Sequence, residues 1–264
     1  MKKIYRYEFV DDYWEKRWGN SEVDSDKFVN MNIYPIKYAE MVVGNSNNIL
    51  EAGCGNGRVL FHYKRQGKDI KGIDYSINAI NNIKEKDPDL DIIQGSILDL
   101  PYDDESFDCV LAFGLYHGIE EEKDLHRAFK ETVRVMKPNA KIVFSVRANS
   151  LENDILEYFV RSKNKDKVFN KFHKWQFDEQ DIKYFAQMNG LKIQELFYVQ
   201  NVSVLFKFNI FKNKTMKKGK FDEAMARSDG FKLNFLGRTI DRVLHKRFPK
   251  YFSNLIVIIA EKDI

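Results

Sequence analysis

The feature that most constrains the fold is a glycine-rich segment at residues 48–58, NILEAGCGNGR. An acid and three alternate glycines form its centre: Glu51, Gly53, Gly55 and Gly57. An apolar run precedes the acid, and Val59, Leu60 and Tyr63 follow the glycines at helical spacing. This order predicts a buried strand, a tight turn and a helix. Because glycine accepts positive φ and has no Cβ, a ligand can lie against the turn near the helix N-terminus.

Two ligand chemistries use such a turn, and a turn with no ligand is the third possibility. A dinucleotide site has the pattern G-x-G-x-x-G. Here the third glycine comes one position early, and Arg58 stands where that fingerprint has glycine. The pattern E-x-G-x-G-x-G instead resembles motif I of the class I S-adenosylmethionine (SAM)-dependent methyltransferases. The resemblance implies that Glu51 and the glycine backbone hold the methionine end of SAM, whose ammonium group suits a carboxylate.

The next predicted strand, Asp69 to Asp74, ends in a second acid. Nucleotide-binding α/β units place an acid on the ribose hydroxyls about twenty residues beyond the glycines. Asp74 therefore indicates adenosine binding without choosing between the two cofactor classes. In the methyltransferase family this acid takes the ribose diol, and the resemblance implies that Tyr75 flanks the adenine. Ser76 is the predicted N-cap of a helix over 77–86.

Residues 91–113 carry a second resemblance to the same family. A short strand at 91–94 precedes Gly95 and Ser96, where most members have Gly-Asp, with the acid reaching the adenine amino group. Ser96 replaces that acid, so the implied contact is one hydroxyl hydrogen bond. LPYDDESFD at 100–108 resembles the family's LPF-x-D-x-SFD passage, which precedes a predicted strand over 109–113. Ile97 and Phe113 complete the implied cofactor set.

Candidate residues for the methyl acceptor follow predicted strands, because ligands of open α/β sheets bind beyond the carboxyl ends of the strands. His117 is either a general base or hydrogen-bond donor, or a loop histidine bonded to backbone. Tyr116 has similar standing as a substrate contact. Arg147 either faces the pocket or forms a structural ion pair. Trp14, which shares a helical face with Trp18, belongs either to a lid over the site or to a helix docked by its aromatic side.

The C-terminal third predicts strands six and seven at 191–199 and 255–261, separated by an insertion at 201–252 that is too long for a plain loop. Within it, 207–220 is rich in lysine, and 233–248 has apolar and basic residues at helical spacing. One interpretation is a helix that packs on the domain and roofs the substrate site. The other is docking of 207–250 on an anionic membrane or an anionic substrate. Nucleic acid is disfavoured because the net charge is only +4.

Composition limits the remaining possibilities. The chain has 264 residues, of which 44% are hydrophobic and 31% are charged, as in a folded domain. Cys54 and Cys109 cannot build a disulfide framework or a cysteine zinc site, and no metal site is predicted. The N-terminus has no apolar stretch of a signal peptide, so a cytoplasmic protein is expected.

Together these patterns predict one doubly wound α/β domain over 1–264. Its mostly parallel seven-stranded sheet, which is Rossmann-like, has an antiparallel last strand, a lid segment at 1–30 and a basic helical insertion at 201–252. The resemblance implies an enzyme that transfers the SAM methyl group to oxygen or nitrogen of a small or medium-sized acceptor. The alternative is a non-catalytic module that binds SAM or docks on an anionic partner through the insertion.

Overall fold

The computed structural model describes residues 1–7, 13–19, 34–199, 204–212 and 233–263. The strands in these ranges are β1 (Lys2–Arg6), β2 (Asn48–Ala52), β3 (Asp69–Asp74), β4 (Asp91–Gln94), β5 (Phe107–Phe113), β6 (Met136–Arg147), β7 (Lys171–Gln176), β8 (Leu191–Val199) and β9 (Leu255–Lys262). The α-helices are α1 (Tyr13–Gly19), α2 (Ile36–Val43), α3 (Arg58–Lys64), α4 (Ile77–Lys86), α5 (Glu122–Val135), α6 (Leu151–Lys163), α7 (Glu179–Met188) and α8 (Phe235–Arg247).

The main sheet has seven strands in the order β4-β3-β2-β5-β6-β9-β8. The strands β4, β3, β2, β5 and β6 are parallel, whereas β9 runs antiparallel to both β6 and β8. The order reverses between β2 and β5, which is where an open α/β sheet forms its ligand crevice. The predicted doubly wound sheet with an antiparallel last strand is therefore confirmed.

Helices cover both faces of the sheet, so its central strands are apolar on both sides. Leu50 and Val110 pack on the face that α5 and α7 cover. Their neighbours Ile49 and Leu111 pack on the opposite face, against α2, α3 and α4. All four side chains are fully buried. The central strands are thereby held rigidly, and their carboxyl ends form a stable edge for a site.

A second sheet of two strands was not predicted from the sequence. Strand β7 covers 171–176 and pairs antiparallel with β1. Trp175 and Gln176 are buried in this strand. Helix α7 starts after Asp178, whose carboxylate forms a capping box with Asp181.

Strand β6 begins at Met136, directly after α5, and helix α2 begins at Ile36. The lid segment 1–30 and the insertion 201–252 are described only in part. Of the lid segment 1–30, the described residues form β1 and α1, and of the insertion they form two short 3-10 turns (Leu205–Lys207 and Asn209–Phe211) and α8. Within the ranges given above, no helix combines the length and apolar character needed to cross a membrane.

Candidate cofactor and acceptor site

The glycine-rich turn joins β2 to α3 with a backbone that favours glycine. The φ angles are +72° at Gly53, +52° at Gly55 and +74° at Gly57. The amide of Gly53 donates to the Ile73 carbonyl at 2.8 Å, which ties the turn to β3. A Cβ added at Gly55 would lie 2.7 Å from Cζ2 of Trp18, so only glycine permits this close approach.

Glu51 lies in β2 just before the turn and is 5% exposed. Its Oε2 accepts a hydrogen bond from the Leu60 amide in α3 at 3.1 Å. Burial raises the pKa of Glu51 to about 8, and the charge of Arg58 and the Leu60 amide oppose this rise. A bound cation would favour the ionised carboxylate, so Glu51 is suited to an ammonium group.

Asp74 ends β3 beside the same turn. Its Oδ2 accepts from the Gly55 amide at 2.7 Å, and its Oδ1 accepts from the Ser76 amide at 2.9 Å. Burial raises the pKa of Asp74, and these two backbone bonds act to lower it. Because a carboxylate can accept about four hydrogen bonds, Asp74 keeps capacity for two ribose hydroxyls. Tyr75 follows with 73% of its surface exposed, so its ring is available to a flat ligand.

The remaining predicted cofactor residues lie around this centre. Ser96 Oγ accepts from the Leu98 amide at 3.2 Å, which leaves the hydroxyl proton available for donation. Ile97 is partly buried and packs on the core. Phe113, at the end of β5, is in edge-to-face contact with Tyr34, with ring centroids 5.4 Å apart.

Tyr34, whose ring contacts Phe113, adds a hydroxyl group next to a predicted cofactor residue. The structure places it before α2, with its hydroxyl 2.6 Å from Ser145 Oγ. Ser145 Oγ also accepts from the Gly114 amide at 2.9 Å. This contact joins the ends of β5 and β6 between the glycine turn and the predicted acceptor residues.

Helix α1 docks on the N-terminus of α4, next to the glycine turn. The Glu15 carboxylate accepts from the Ile77 amide at 2.8 Å and from the Ser76 hydroxyl at 3.0 Å. Trp14 stacks on Trp18 with ring centroids 6.0 Å apart, and Trp14 is 42% exposed. Negative charge at a helix N-terminus is stabilising, which explains why α1 docks here. Its role as a lid stays a prediction.

His117 lies in a single 3-10 turn, Tyr116–Gly118, that follows β5. It is 8% exposed, and its Nδ1 has no hydrogen-bond partner among the described residues. Burial lowers the pKa of His117 well below its usual value, and the positive charges of Arg147 and Lys174 lower it further. His117 is therefore neutral at pH 7 and a weak base.

Tyr116 is placed differently from the prediction. It is fully buried, its ring stacks on Phe129 with centroids 4.1 Å apart, and its hydroxyl lies 2.8 Å from Thr132 Oγ1. The side chain thus belongs to the core between the sheet and α5. The geometry does not support the predicted contact with a substrate.

Strand β7 brings a cationic group beside His117, which sequence reasoning missed. Lys174 Nζ lies 3.2 Å from Oε1 of Glu157, and Glu157 also binds the guanidinium of Arg6. Burial, followed by the charge of Arg147, lowers the pKa of Lys174 to about 8. Trp175 Nε1 donates to the Ile119 carbonyl at 2.8 Å and fixes β7 against the turn that holds His117.

Other buried polar groups complete the acceptor side. Gln176 is fully buried, and in the part of the chain that the structure describes neither its Nε2 nor its Oε1 has a hydrogen-bond partner. Arg147, at the end of β6, donates from Nη1 to Oδ1 of Asn254. Burial, followed by the charge of Lys174, lowers the pKa of His173 to about 3. Phe172 and Trp175 are three residues apart, so residues 171–176 lack the alternation that would have predicted this strand.

A groove of about 660 Å³ lies beyond the carboxyl end of β6, towards β8 and away from the glycine turn. Asn149, Glu179, Tyr198 and Lys250 are among its lining residues. In the described part of the chain, no three His, Cys, Asp or Glu side chains are grouped to hold a metal ion.

The comparisons with known proteins agree with this geometry. A family model described as a methyltransferase domain matches residues 50–144, from the end of β2 into β6. This match and the shared fold support the class I SAM-dependent methyltransferases as the family of this chain. The matched segment contains the glycine turn, Asp74 and the SFD passage.

Three relatives illustrate the similarity. An uncharacterized methyltransferase of Schizosaccharomyces pombe is 33% identical over 115 residues, covering 42% of this chain and 44% of the relative. A demethylmenaquinone methyltransferase of Paenarthrobacter aurescens is 30% identical over 127 residues, covering 46% and 49%. The crystal structure of a SAM-dependent methyltransferase from Methanosarcina mazei superposes with a TM-score of 0.58 at 17% identity, covering 88% of this chain and 99% of that one, which shows the shared fold. The chain spans about half the length of the curated relatives it matches.

The cofactor of this family is SAM, and the residues present fit it. SAM has an ammonium group, a ribose diol and an adenine ring. The buried carboxylate of Glu51, the spare acceptor capacity of Asp74 and the exposed ring of Tyr75 are complementary to these three parts. The glycine turn has no side chains of its own, and Trp18 packs on it at Gly55.

Proposed function

We propose that this protein transfers the methyl group of SAM to a small-molecule acceptor. The observation that carries the proposal is the pair of carboxylates, Glu51 and Asp74, on either side of the glycine turn. One is buried and suited to a cation, and the other is bonded to the Gly55 amide while keeping acceptor capacity. Two carboxylates would repel the anionic pyrophosphate of a dinucleotide, so the pair does not point to a dinucleotide cofactor.

SAM supplies an electrophilic methyl group on a sulfonium centre. The residues of the chain bind and orient SAM. Glu51 binds the ammonium group, Asp74 binds the ribose diol, and Tyr75 and Ser96 bind the adenine. Methyl transfer is an in-line displacement, so holding the acceptor in line and excluding water supplies much of the acceleration. A base is not obligatory, which agrees with the low basicity of His117.

The surroundings of His117 support an acceptor with an ionised or readily ionised oxygen. Arg147 and Lys174 are close enough to His117 to affect its pKa, and they would stabilise negative charge on an acceptor next to it. Neutral His117 would then accept or donate one hydrogen bond that positions the acceptor. We predict that the attacking atom of the acceptor is oxygen or nitrogen. A relative named for demethylmenaquinone makes carbon a third possibility.

Calorimetric titration with SAM and with its demethylated product tests the cofactor half. Asp74→Asn is expected to weaken SAM binding about tenfold or more, because a charge-assisted hydrogen bond contributes about 1.5–3 kcal/mol. Asp69→Asn removes an acid from the other end of β3 and is the matched control, with wild-type affinity expected. Equal affinity of wild type and Asp74→Asn would refute the ribose assignment.

Turnover tests the enzymatic half against the non-catalytic alternative. That alternative is supported only by Ser96, which replaces the usual acid. Formation of demethylated SAM would be measured with a panel of phenols, amines and reduced naphthoquinones. Turnover with one acceptor class supports transfer. Tight SAM binding without turnover on any of them would favour the binding module.

A further inference from the structure

Helix α8 is fixed so that one long side faces solvent. Its N-cap Asn234 accepts from the Gly237 amide at 2.9 Å and donates from Nδ2 to the Ile210 carbonyl at 2.5 Å. Gly237 is buried, and a Cβ there would lie 3.0 Å from Cβ of Phe211. The 3-10 turn at 209–211 therefore packs directly on the helix backbone, which fixes the side that points inward.

The outward side of α8 exposes large apolar residues. Phe235 is 78%, Leu236 50% and Val243 58% exposed. Gly237 and Asp241 take the buried positions of the helix. Single exposed apolar residues are common, whereas several on one side of a helix mark an interaction surface.

Four basic side chains on α8 are exposed around these residues: Arg238, Arg242, Lys246 and Arg247. The acid of the helix, Asp241, is 8% exposed and lies on the buried side. The outward side thus combines apolar groups with positive charges and carries no acid. We call Phe235, Leu236, Arg242, Val243 and Lys246 the docking face.

This combination matches the surface of an anionic lipid bilayer. Apolar side chains insert at the boundary of headgroups and acyl chains, while Lys and Arg stay at the level of the phosphates. Ile210, beside the N-cap, and Phe248, after the last turn, are also exposed, at 64% and 48%. Nucleic acid would use the charges but not the exposed apolar groups, and an apolar protein partner would not use the charges.

We propose that the docking face of α8 binds the protein to an anionic membrane surface. The proposal is independent of methyl transfer, since none of its residues belongs to the cofactor or acceptor side. A membrane-bound protein of this kind can reach acceptors that are dissolved in the bilayer.

Vesicle flotation of the full chain tests the proposal. Wild type would be compared on vesicles of neutral phosphatidylcholine and on vesicles in which part of that lipid is replaced by anionic phosphatidylglycerol. Binding to the anionic vesicles only, weakened by added salt, is expected. Each basic residue near such a surface contributes about fivefold in affinity, so Arg242→Gln with Lys246→Gln should lower binding about tenfold or more. Phe235→Ser should also lower it.

Matched controls separate the docking face from charge and hydrophobicity in general. Lys123→Gln with Lys130→Gln removes the same charge from the exposed side of α5, and Met188→Ser removes an exposed apolar residue from α7. Both controls should bind like wild type. Circular dichroism of each variant confirms that it is folded.

Several results would overturn the proposal. Wild type that floats with neither vesicle, or with both equally and independently of salt, excludes docking through these charges. Retention of a short DNA duplex without vesicle binding assigns the face to nucleic acid. Sedimentation of a dimer that Phe235→Ser dissociates, again without vesicle binding, assigns it to a second copy of this chain.

Discussion

Replacing Glu51 by Gln isolates the energetic effect of one buried carboxyl. Glu51 is 5% exposed, and Gln keeps an oxygen that can accept from the Leu60 amide. In the folded protein, burial raises the pKa of Glu51 from 4.5 to about 8. The folded state therefore binds more protons than the unfolded state between these values, and its stability falls as the pH rises. A tenfold change in ionisation corresponds to about 1.4 kcal/mol, so the full rise is about 4–5 kcal/mol.

Urea unfolding of the cofactor-free protein between about pH 5 and pH 8.5 measures this effect. The free energy of unfolding of Glu51→Gln minus that of wild type is expected to increase with pH, by about 1.4 kcal/mol for each tenfold fall in proton concentration, and to level off above about pH 8. Glu85→Gln, which removes an exposed carboxyl from α4, is the control for loss of one acid. A difference that stays constant with pH would mean that Glu51 is ionised in the folded protein, and would refute the argument from burial.

The same variant tests whether Glu51 meets the ammonium group of SAM. Because a neighbouring cation favours the ionised carboxylate, binding of SAM below pH 8 should release a proton from Glu51. Calorimetry at pH 7 in two buffers of different ionisation enthalpy measures the protons released. Wild type should release more than Glu51→Gln, and this difference cancels any titration of the ligand itself. Equal proton release in the two proteins would separate Glu51 from the ammonium group.

Three further predictions concern the turn, the core and the acceptor side. Gly55→Ala and Gly67→Ala each place a side chain at positive φ and should each cost about 1–2 kcal/mol in urea unfolding, but only at Gly55 does the new Cβ meet Trp18. The affinity for SAM should therefore fall for Gly55→Ala and not for Gly67→Ala. An equal loss of SAM affinity in the two variants would count against α1 lying over the site. Thr132→Val leaves the buried Tyr116 hydroxyl without its 2.8 Å partner and should lower the free energy of unfolding by about 1–3 kcal/mol. Turnover should not change. A turnover defect in this folded variant would mean that Tyr116 contributes to the acceptor side of the site. His117→Ala should lower turnover while calorimetric SAM affinity stays intact, whereas unchanged turnover would leave His117 a purely structural residue.

Local sequence patterns were sufficient to predict most of the sheet and the cofactor half of the site. The turn at 53–57 needs positive φ, and Asp74 ends a short strand. Both features could therefore be predicted from neighbouring residues. The N-cap at Ser76 was predicted and is present, with its side chain accepting from the Ala79 amide. These features depend on residues close in the chain, where spacing and backbone conformation are directly linked.

The acceptor side was predicted less well from the sequence, because it is assembled from segments that are distant in the chain. Strand β7 forms only by pairing with β1, and Lys174 reaches His117 through that pairing. Tyr116 and His117 are adjacent in sequence, yet the turn after β5 directs Tyr116 to Thr132 in the core. Neither outcome has a sequence period that could predict it.

Helix α8 shows the same division. The sequence by itself determined that residues 235–247 form a basic amphipathic helix, and it determined the glycine turn with its two acids. Only the tertiary structure decided that Gly237 and Asp241 face inward and that Phe235 and Val243 face solvent. The physical reason is that the backbone of a helix can approach a neighbouring segment most closely at a glycine, and the 209–211 turn occupies that position. Which of several apolar stripes is buried depends on such a partner, and the partner lies elsewhere in the chain.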